Sequence, residues 1–469
     1  MHRQEIVFRG RLIITGFGSV GQAALPLLLR HIDMRPEQLL VINAHADDAP
    51  LAEAFGVEHL TAPLREDNYR QVLEPYLGAG DFLLNLSVEV SSADLMRLCR
   101  DRGALYLDTC TEPWPGRYDN PTRSAGERTN YALREAALAL RVAGPSPTAV
   151  MTHGANPGLV SHFLKKALLD IARDTGQDAT VPASRQGWAR LAQRLGIRCI
   201  HIAERDTQWS HERKRVGEFV NTWSIRGFIE ESLQPAELGW GSHERRFPAD
   251  GARHNVGCRA AIYLGRPGAA TRVRSWAPLA GPYHGFLITH AEAISIANYL
   301  TVGSPAQPSY RPTVLYAYHP CDDAVLSLHE LAGRNWRPQQ MQRLIRDDIA
   351  GGRDELGVLL MGHAKNAYWF GSHLAAEDAR AACPYNNATS LQVAAAVMAG
   401  VVWAIRHPDA GVVEPEDLPF DEILQLCRPY LGELQGVYGD WSPLVDRGKL
   451  FEEEVDRSDP WQFGNFRVT

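Results

Sequence analysis

Short apolar segments alternate with amphipathic segments through the first third of the chain. The apolar runs LIIT, LLVIN, VEHL, FLLNLS and ALYLDT have the length and composition of buried strands. The stretch that follows residue 21 and residues 69–76, 91–99 and 131–141 have the spacing of amphipathic helices, and TAVMTHG adds a further strand. This order predicts successive βα units, and therefore an α/β fold with a Rossmann-type, doubly wound parallel sheet that runs to about residue 155.

The pattern changes after residue 155. Strand-like pieces such as GIRCIHIAE and RAAIYL are separated by long, polar, tryptophan-rich loops, which predicts a second α+β domain over residues 156–384. That composition suits a substrate domain. Helical periodicity returns around 391–405 and 420–430, and we expect the helices of about 385–469 to pack back on the domain formed by residues 1–155.

Composition and charge narrow the class of protein. The chain has 469 residues, 45% of them hydrophobic, which is too long for one ordinary core and too apolar for disorder. The net charge of -7 is small and the positive residues are dispersed, which argues against nucleic acid or an anionic membrane as a partner. Its seven cysteines, without a CxxC pair, indicate reduced thiols. With no apolar signal segment, and with a longest apolar run of 393–405 that predicts a core helix, we expect a cytoplasmic protein without a membrane partner.

A glycine-rich loop at residues 16–21 follows the first buried strand and opens a helix. Gly16, Gly18 and Gly21 form the pattern G-x-G-x-x-G, with Ser19 and Val20 inside it. Such glycines permit a tight turn, let the backbone approach a pyrophosphate, and allow close contact between helix and sheet, while the helix N-terminus attracts the phosphates. The context predicts a dinucleotide site, and an ordinary tight βα turn is the weaker alternative.

The acidic residue expected at the end of the second strand is missing, because the sequence there reads Val41, Ile42, Asn43. An asparagine can still hydrogen-bond a ribose hydroxyl. No arginine adjoins Asn43 to neutralise a 2'-phosphate, which favours NAD over NADP without deciding between them. Asp47 and Asp48 lie close enough in sequence to substitute for the missing acid.

Further motifs are spread over nearly the whole chain: NLSVEVSS, YLDTCTEPW, GANPG, HIAERDTQ, NTWS, LQPAELGWG, YAYHPC, DELGVLL, KNAYW and DPWQF. Together with FGSVG, this ordered set resembles bacterial homospermidine synthases, within the saccharopine-dehydrogenase-like group. The resemblance implies an NAD-containing homodimer that joins two putrescines, or putrescine and spermidine, with release of ammonia or a diamine. Departures are Asn43, where an acidic residue is expected, and Glu89, where the family can carry aspartate.

A diamine is a dication near neutral pH, so its site requires carboxylates or aromatic faces and a group that accepts a proton. Opposite charges about 4 Å apart interact by roughly 4 kcal/mol at an effective dielectric of 20, and a cation over tryptophan gains about 0.5 to 2 kcal/mol. Motif matching assigns the aromatic face to Trp223, the ammonium sites to Glu204 and Glu231, and the nicotinamide side to Asn156. His290 is expected to assist proton transfer, because imidazole titrates near working pH.

The same motifs supply the remaining candidates, each of which has an ordinary structural alternative. Glutamates are mostly solvated, Trp223 and His290 could belong to the core, and Asn156 could cap a helix that Pro157 begins. No metal site is predicted, because the H-E-x-x-H pattern that starts at His329 has Gly333 in place of the second histidine. The substrate candidates are Glu89, Glu112, Glu292 and Asp354, and the cofactor candidates beyond the glycine loop are Asn43, Ser87, Val88, Thr109, Ala155, Asn156 and Pro157.

Two other functions compete with the synthase. A saccharopine or carboxynorspermidine dehydrogenase would reduce an imine formed from an amino acid and release the oxidised cofactor. Its substrate bears a carboxylate and requires an arginine clamp, for which Arg205 is the candidate. A non-catalytic NAD-binding regulator would have no chemical use for a carboxylate-rich second half.

Overall fold

The computed structural model describes residues 5–118, 120–346 and 348–468. Its first domain is built on a seven-stranded parallel sheet. Successive residues of the central strands pack on opposite faces of the sheet, since Ile13 and Ile14 belong to different core clusters. The predicted Rossmann-type α/β class is therefore confirmed. In spatial order the strands are Ala410–Val413, Ser146–Val150, Leu105–Asp108, Phe82–Asn85, Leu12–Thr15, Leu39–Asn43 and Glu58–Thr61.

The helices of this domain lie where the sequence predicted them, with shifted ends. The helix of the glycine loop is Ser19–His31 and begins inside the motif. The helix predicted at 69–76 ends early as Tyr69–Leu73, and the one predicted at 131–141 is Asn130–Leu138. Ser92–Arg102 ends at Gly103, whose φ of 73° places it in the left-handed region that favours glycine. The short helix Ala49–Ala54 completes the set.

The second domain is built on an eleven-stranded mixed sheet. Its central strand, Cys199–Asp206, runs parallel to Thr313–His319 and antiparallel to Arg353–His363. The other strands of the sheet are Pro235–Gly239, Gly251–Arg253, Ala261–Pro267, Arg272–Ala277, Gly281–Leu287, Asn366–Ala375, Glu433–Gly439 and Arg467–Val468. Its longer helices are Leu159–Asp174, Arg185–Leu195, Ile225–Leu233, Ala291–Tyr299 and Asp322–Gly333.

The chain beyond residue 385 is divided between the two domains. Helix Ala388–Arg406 packs on helix Ser19–His31, and strand Ala410–Val413 adds an edge to the first sheet. Helix Phe420–Cys427 instead packs on Leu159–Asp174, and Glu433–Gly439 joins the second sheet. The two domains are therefore interlocked.

Within the described residues, one helix, Ala388–Arg406, is long and apolar enough to cross a membrane by length and composition. Protein atoms bury 89% of the most apolar window of this helix. An all-round apolar surface is what a helix between packed layers requires, because no side of it faces water.

Candidate functional site

The carboxyl ends of the first sheet face the second domain across a cavity of about 540 Å³. The next strand in sequence, Leu39–Asn43, pairs with one edge of Leu12–Thr15, and the later strand Phe82–Asn85 pairs with its other edge. The strand order of the sheet therefore reverses at Leu12–Thr15. In open α/β sheets ligands bind at this reversal. The cavity therefore lies where a dinucleotide fold places its ligand.

The three glycines of the loop meet three different requirements. Gly16 has a φ of 83°, and a Cβ there would lie 2.6 Å from the Leu86 backbone. A Cβ on Gly21 would lie 2.7 Å from the carbonyl oxygen of Gly16, so Gly21 serves the packing of loop on helix and does not line the cavity. A Cβ on Gly18 would meet no atom within 4 Å, although Gly18 lines the cavity.

The N-terminus of helix Ser19–His31 fits a pyrophosphate. No side chain caps it, and its first turn contains no acidic residue, so no negative group of the helix itself occupies the exposed N–H groups. Ser19 and Val20 line the cavity beside Gly18. Loop and helix together form the cradle that the G-x-G-x-x-G pattern predicted.

Asn43 lines the cavity at the end of the second strand. Its Oδ1 accepts a hydrogen bond from the Phe17 N–H at 3.3 Å, and its Nδ2 donates to the His45 carbonyl at 3.4 Å. Asp47 and Asp48 do not line this cavity. Asn43 thus braces the glycine loop and lies where the acidic residue was expected.

A buried polar chain fixes the next two strand ends. The Thr15 hydroxyl donates to Asn85 Oδ1 at 3.0 Å, Asn85 Nδ2 donates to the Tyr106 hydroxyl at 3.2 Å, and that hydroxyl donates to Asp108 Oδ2 at 2.7 Å. Because these groups are buried and bonded, the loops that follow them are held in register. The predicted cofactor residues on these loops and on the loop before helix Leu159–Asp174 all line the cavity: Ser87, Val88, Thr109, Ala155, Asn156 and Pro157.

Glu204 lies at the deep end of the cavity, on the central strand of the second sheet. Its Oε2 accepts hydrogen bonds from Asn156 Nδ2 at 2.8 Å and from the Tyr316 hydroxyl at 2.5 Å. Burial raises the pKa of Glu204 to about 7, against the lowering effect of these two donors. Asn156 caps no helix, since the following helix begins at Leu159 after Gly158. Its side chain instead links the loop before helix Leu159–Asp174 to the central strand of the second sheet.

Trp223 lines the cavity in the loop between strand Glu218–Asn221 and helix Ile225–Leu233. Its Nε1 donates to the Tyr318 hydroxyl at 3.1 Å. Tyr318 stacks on Tyr316 with 5.1 Å between ring centroids, and Tyr316 stacks on His290 at 4.4 Å. The indole is therefore anchored through its polar edge to a wall of stacked rings.

His290 lies between two carboxylates. Its Nε2 is 3.1 Å from Glu231 Oε2, and its Nδ1 is 3.2 Å from Glu292 Oε1. Burial lowers the pKa of His290, but Glu292 and Glu231 outweigh that effect and raise it to about 10. The ring therefore stays protonated at neutral pH, unlike the near-neutral titration expected from the sequence. Glu292 is buried behind the ring and does not line the cavity.

The other carboxylate candidates differ in their access to the cavity. Glu112 lines it and accepts a hydrogen bond from the Glu89 N–H at 3.3 Å, and burial raises the pKa of Glu112 to about 8. Glu89 lines it as well and pairs with Arg226. Asp354 does not line it: this carboxylate is fully buried and accepts a hydrogen bond from the Thr389 hydroxyl at 2.5 Å.

Sequence reasoning missed several residues of this site. Tyr316 and Tyr318 were visible in the motif YAYHPC, where a spacing of two puts both rings on one face of a strand. Arg226, close behind NTWS, was not considered. Arg205, the candidate carboxylate clamp, donates to the Pro320 carbonyl and pairs with Asp322 outside the cavity lining. In the described ranges no group of three His, Cys, Asp or Glu side chains could hold a metal ion.

Comparisons with known proteins agree with this architecture. Residues 12–150 match the family model of the saccharopine dehydrogenase NADP binding domain, and residues 154–440 match that of the saccharopine dehydrogenase C-terminal domain. Homospermidine synthase of Blastochloris viridis is 52% identical over 464 residues, which cover 98% of this chain and 97% of that protein. Homospermidine synthase of Mesorhizobium japonicum is 48% identical over 467 residues, covering 98% and 96%.

Solved structures extend the comparison to the fold. Homospermidine synthase from Legionella pneumophila in complex with NAD superposes with a TM-score of 0.93 at 49% identity, covering 99% of each chain. The L-Glu-forming saccharopine dehydrogenase of Saccharomyces cerevisiae gives a TM-score of 0.52 at 11% identity, over 92% of this chain and 99% of that one. The second likeness shows a shared fold alone.

The geometry at Gly18 generates a direct test of the dinucleotide loop. We expect Gly18→Val to weaken NAD binding at least about ten-fold, which corresponds to a loss of roughly 1.4 kcal/mol in binding free energy. A Cβ at Gly18 meets no protein atom within 4 Å, so the valine side chain would occupy the cavity where the pyrophosphate must approach the backbone. Calorimetric titration with NAD measures the affinity, and thermal unfolding without NAD measures the fold. Gly333→Val is the matched control, since Gly333 is exposed at the end of helix Asp322–Gly333 and a Cβ there also meets no atom within 4 Å. Unchanged NAD affinity in Gly18→Val would exclude this loop as the cofactor site.

Proposed function

We propose, from the premise that this chain belongs to the homospermidine synthase family, that its cavity binds NAD at the glycine loop and diamines at the carboxylate end. The enzyme joins two diamines such as putrescine and releases ammonia. One observation carries the proposal: a single cavity joins a dinucleotide loop to Trp223 and to the carboxylates Glu89, Glu112, Glu204 and Glu231. A dication requires such a set, and NAD requires such a loop.

The residues present fit NAD. The open space at Gly18 and the uncapped helix N-terminus suit the pyrophosphate, and Asn43 suits the adenosine ribose. Asn156, which connects the nucleotide side of the cavity to Glu204, is assigned to the nicotinamide side. When bound, NAD takes up and then returns the redox change of the amine-bearing carbon. The protein's task is to hold that carbon, move protons and exclude water.

Glu204 is assigned to the first proton transfer. An alkylammonium ordinarily titrates near pH 10.4, so the reacting amine must lose a proton before its carbon can be oxidised. Because the pKa of Glu204 is about 7, both its ionised and its protonated form are populated near neutral pH. The group can therefore accept a proton and later return it. The bonds from Asn156 and Tyr316 fix its orientation.

The charged neighbours are assigned to binding. Glu231 and Glu112 attract ammonium groups, and an ammonium beside Glu112 favours the ionised form of that carboxyl. Protonated His290 orients Glu231 and neutralises part of its charge. Trp223 offers a face for a cationic carbon–nitrogen centre without a hydrogen bond that would fix it as an amine. Glu292 supports His290, and Asp354 lies behind the cavity wall.

The lining argues against the rival functions. No lysine lines the cavity in the described chain, so no side-chain amine is present there to form an imine between protein and substrate. Within the described residues the one arginine of the lining, Arg226, is already paired with Glu89 and Glu230, so a substrate carboxylate meets no free clamp there. A regulator that only bound NAD would have no use for buried carboxylates, which are costly to desolvate. The homodimer, the cytoplasmic location and the division of roles at residues 155 and 384 stay predictions.

The synthase reaction is redox-neutral overall, which separates it from a dehydrogenase. With putrescine and a catalytic amount of NAD, we expect continuing release of ammonia and homospermidine while absorbance at the reduced-nicotinamide band stays level. Mass spectrometry of the amine and an ammonia assay follow the products. Conversion of the added NAD to NADH, with putrescine consumption stopping once that NAD is reduced, would instead favour a dehydrogenase, and the absence of any product would leave only NAD binding.

The hydrogen bond from Tyr316 should be visible in the pH profile. The ionised form of Glu204 is required, so kcat/KM rises as pH increases through about 7. The Tyr316 hydroxyl lowers the pKa of Glu204, so Tyr316→Phe should move this limb to higher pH by about one unit. Tyr310→Phe, which removes a buried hydroxyl that donates to the Ile197 carbonyl, is the control and should leave the limb in place. A limb that is unmoved, or moved to lower pH, in Tyr316→Phe contradicts the proton role of Glu204.

Substitutions of Trp223 separate a cation site from a core position. Trp223→Phe keeps an aromatic face and should retain much of the activity, whereas Trp223→Ala should lose about ten- to hundred-fold in rate, or roughly 1 to 3 kcal/mol. Turnover and thermal unfolding are measured on the same samples, with the exposed Trp209→Ala as control. If Trp223→Ala unfolds the protein, or leaves turnover intact, the residue is structural.

A further inference from the structure

Arg226 is the only arginine that lines the cavity, and no lysine accompanies it in the described chain. It is the second residue of helix Ile225–Leu233, and 62% of its side chain is exposed, so it lies at the open end of the cavity. The residues near it in the lining, Ser224 and Gly227, carry no charge. Among the described residues of the lining, Arg226 is therefore the one side chain that is cationic at every working pH.

Two carboxylates of different domains share this guanidinium. Arg226 pairs with Glu89 of the first domain, and its Nε lies 3.4 Å from Glu230 Oε1 on its own helix. The side chains of Glu89 and Glu230 are only 17% and 16% exposed. A second oxygen of Glu230 is buried without a hydrogen-bond partner in the described structure. Burial and the neighbouring Glu112 raise the pKa of Glu230 to about 8, although Arg226 lowers it, so Glu89 is the main anionic partner of the guanidinium near neutral pH.

We propose that Arg226 is a resident counter-cation that competes with the outermost ammonium of a polyamine for Glu89 and thereby limits the affinity for the product. The proposal rests on the proposed function. Putrescine carries two ammonium groups, which the deep carboxylates can hold. Homospermidine is longer and carries three, so its third charge extends towards the open end. There it meets a carboxylate that is already paired with a guanidinium.

This competition favours release of the product. Without Arg226, Glu89 would be an additional anionic site, and the trication would gain more from it than the dication. The attraction between two unit charges about 7 Å apart, at an effective dielectric between that of a protein surface and that of water, changes an affinity roughly five- to ten-fold. Arg226 is thus a specificity-determining residue for the charge and length of the ligand.

Affinities for both amines test the proposal. They are measured by calorimetry on enzyme loaded with NADH, in which neither putrescine nor homospermidine can react. We expect Arg226→Gln to lower the Kd of homospermidine about five- to ten-fold and that of putrescine less than about two-fold, with a smaller difference at high salt. Glu89→Gln should raise the Kd of homospermidine, because the contested carboxylate is lost.

The opposite signs distinguish competition from a structural latch between the domains, which both substitutions would weaken alike. Arg226→Lys keeps the charge and should stay within about two-fold of the wild type. Arg215→Gln removes an exposed arginine that pairs with Glu212 outside the cavity, and should change neither affinity. Equal shifts for both amines, or same-sign effects of Arg226→Gln and Glu89→Gln, overturn the proposal. A wild-type enzyme that forms no homospermidine from putrescine contradicts the proposed function instead.

Discussion

Burial of negative charge at the junction of the two domains is the constraint on which the rest of the site depends. Carboxylates such as Glu112 and Glu204 lie almost out of contact with water, and in the described part of the chain Arg226, at the open end, is the one arginine or lysine of the cavity lining. Desolvated carboxyl groups favour their neutral form until a cation arrives. Burial accordingly raises the pKa of Glu112 to about 8 and that of Glu204 to about 7. A polyamine supplies the missing positive charge.

The surrounding structure divides the roles of these carboxylates. Glu204 receives two neutral donors, Asn156 and Tyr316, so its proton can leave and return. Glu231 is held by His290, and Glu292 and Glu231 raise the pKa of that ring to about 10, so the imidazole stays protonated near neutral pH. In the proposed reaction one group moves a proton while its neighbours hold charge in place. The division suits a reaction in which an amine must be neutral at one nitrogen and cationic at another.

Local sequence patterns predicted much of this arrangement. The turn at Gly16 and the helix contact at Gly21 involve residues next to them in sequence, so spacing and local context could predict them, and the cofactor role of Gly18 stays a prediction. Trp223, Glu204 and His290 were found through motifs, and the structure brings them to one cavity.

What spacing could not predict depends on pairing between distant segments. The bonds of Tyr316 to Glu204 and of Tyr318 to Trp223 depend on strand register, and the Glu89 pair with Arg226 depends on how two domains meet. The charge state of His290 follows from two carboxylates of which only Glu292 is its neighbour in sequence. The position of Asp354 behind the wall likewise reflects the order of strands in the second sheet.

In the proposed reaction the cavity retains substrate and cofactor through both oxidation and reduction. The most direct measurement uses putrescine deuterated at both amine-bearing carbons, with unlabelled NAD in the enzyme and excess unlabelled NADH in solution. Mass spectrometry of the homospermidine should find every carbon-bound deuterium retained, because the label removed from one carbon returns to it before the cofactor exchanges. Homospermidine that lacks one deuterium at the newly formed carbon–nitrogen bond would contradict the account, since reduction would then draw on cofactor from solution.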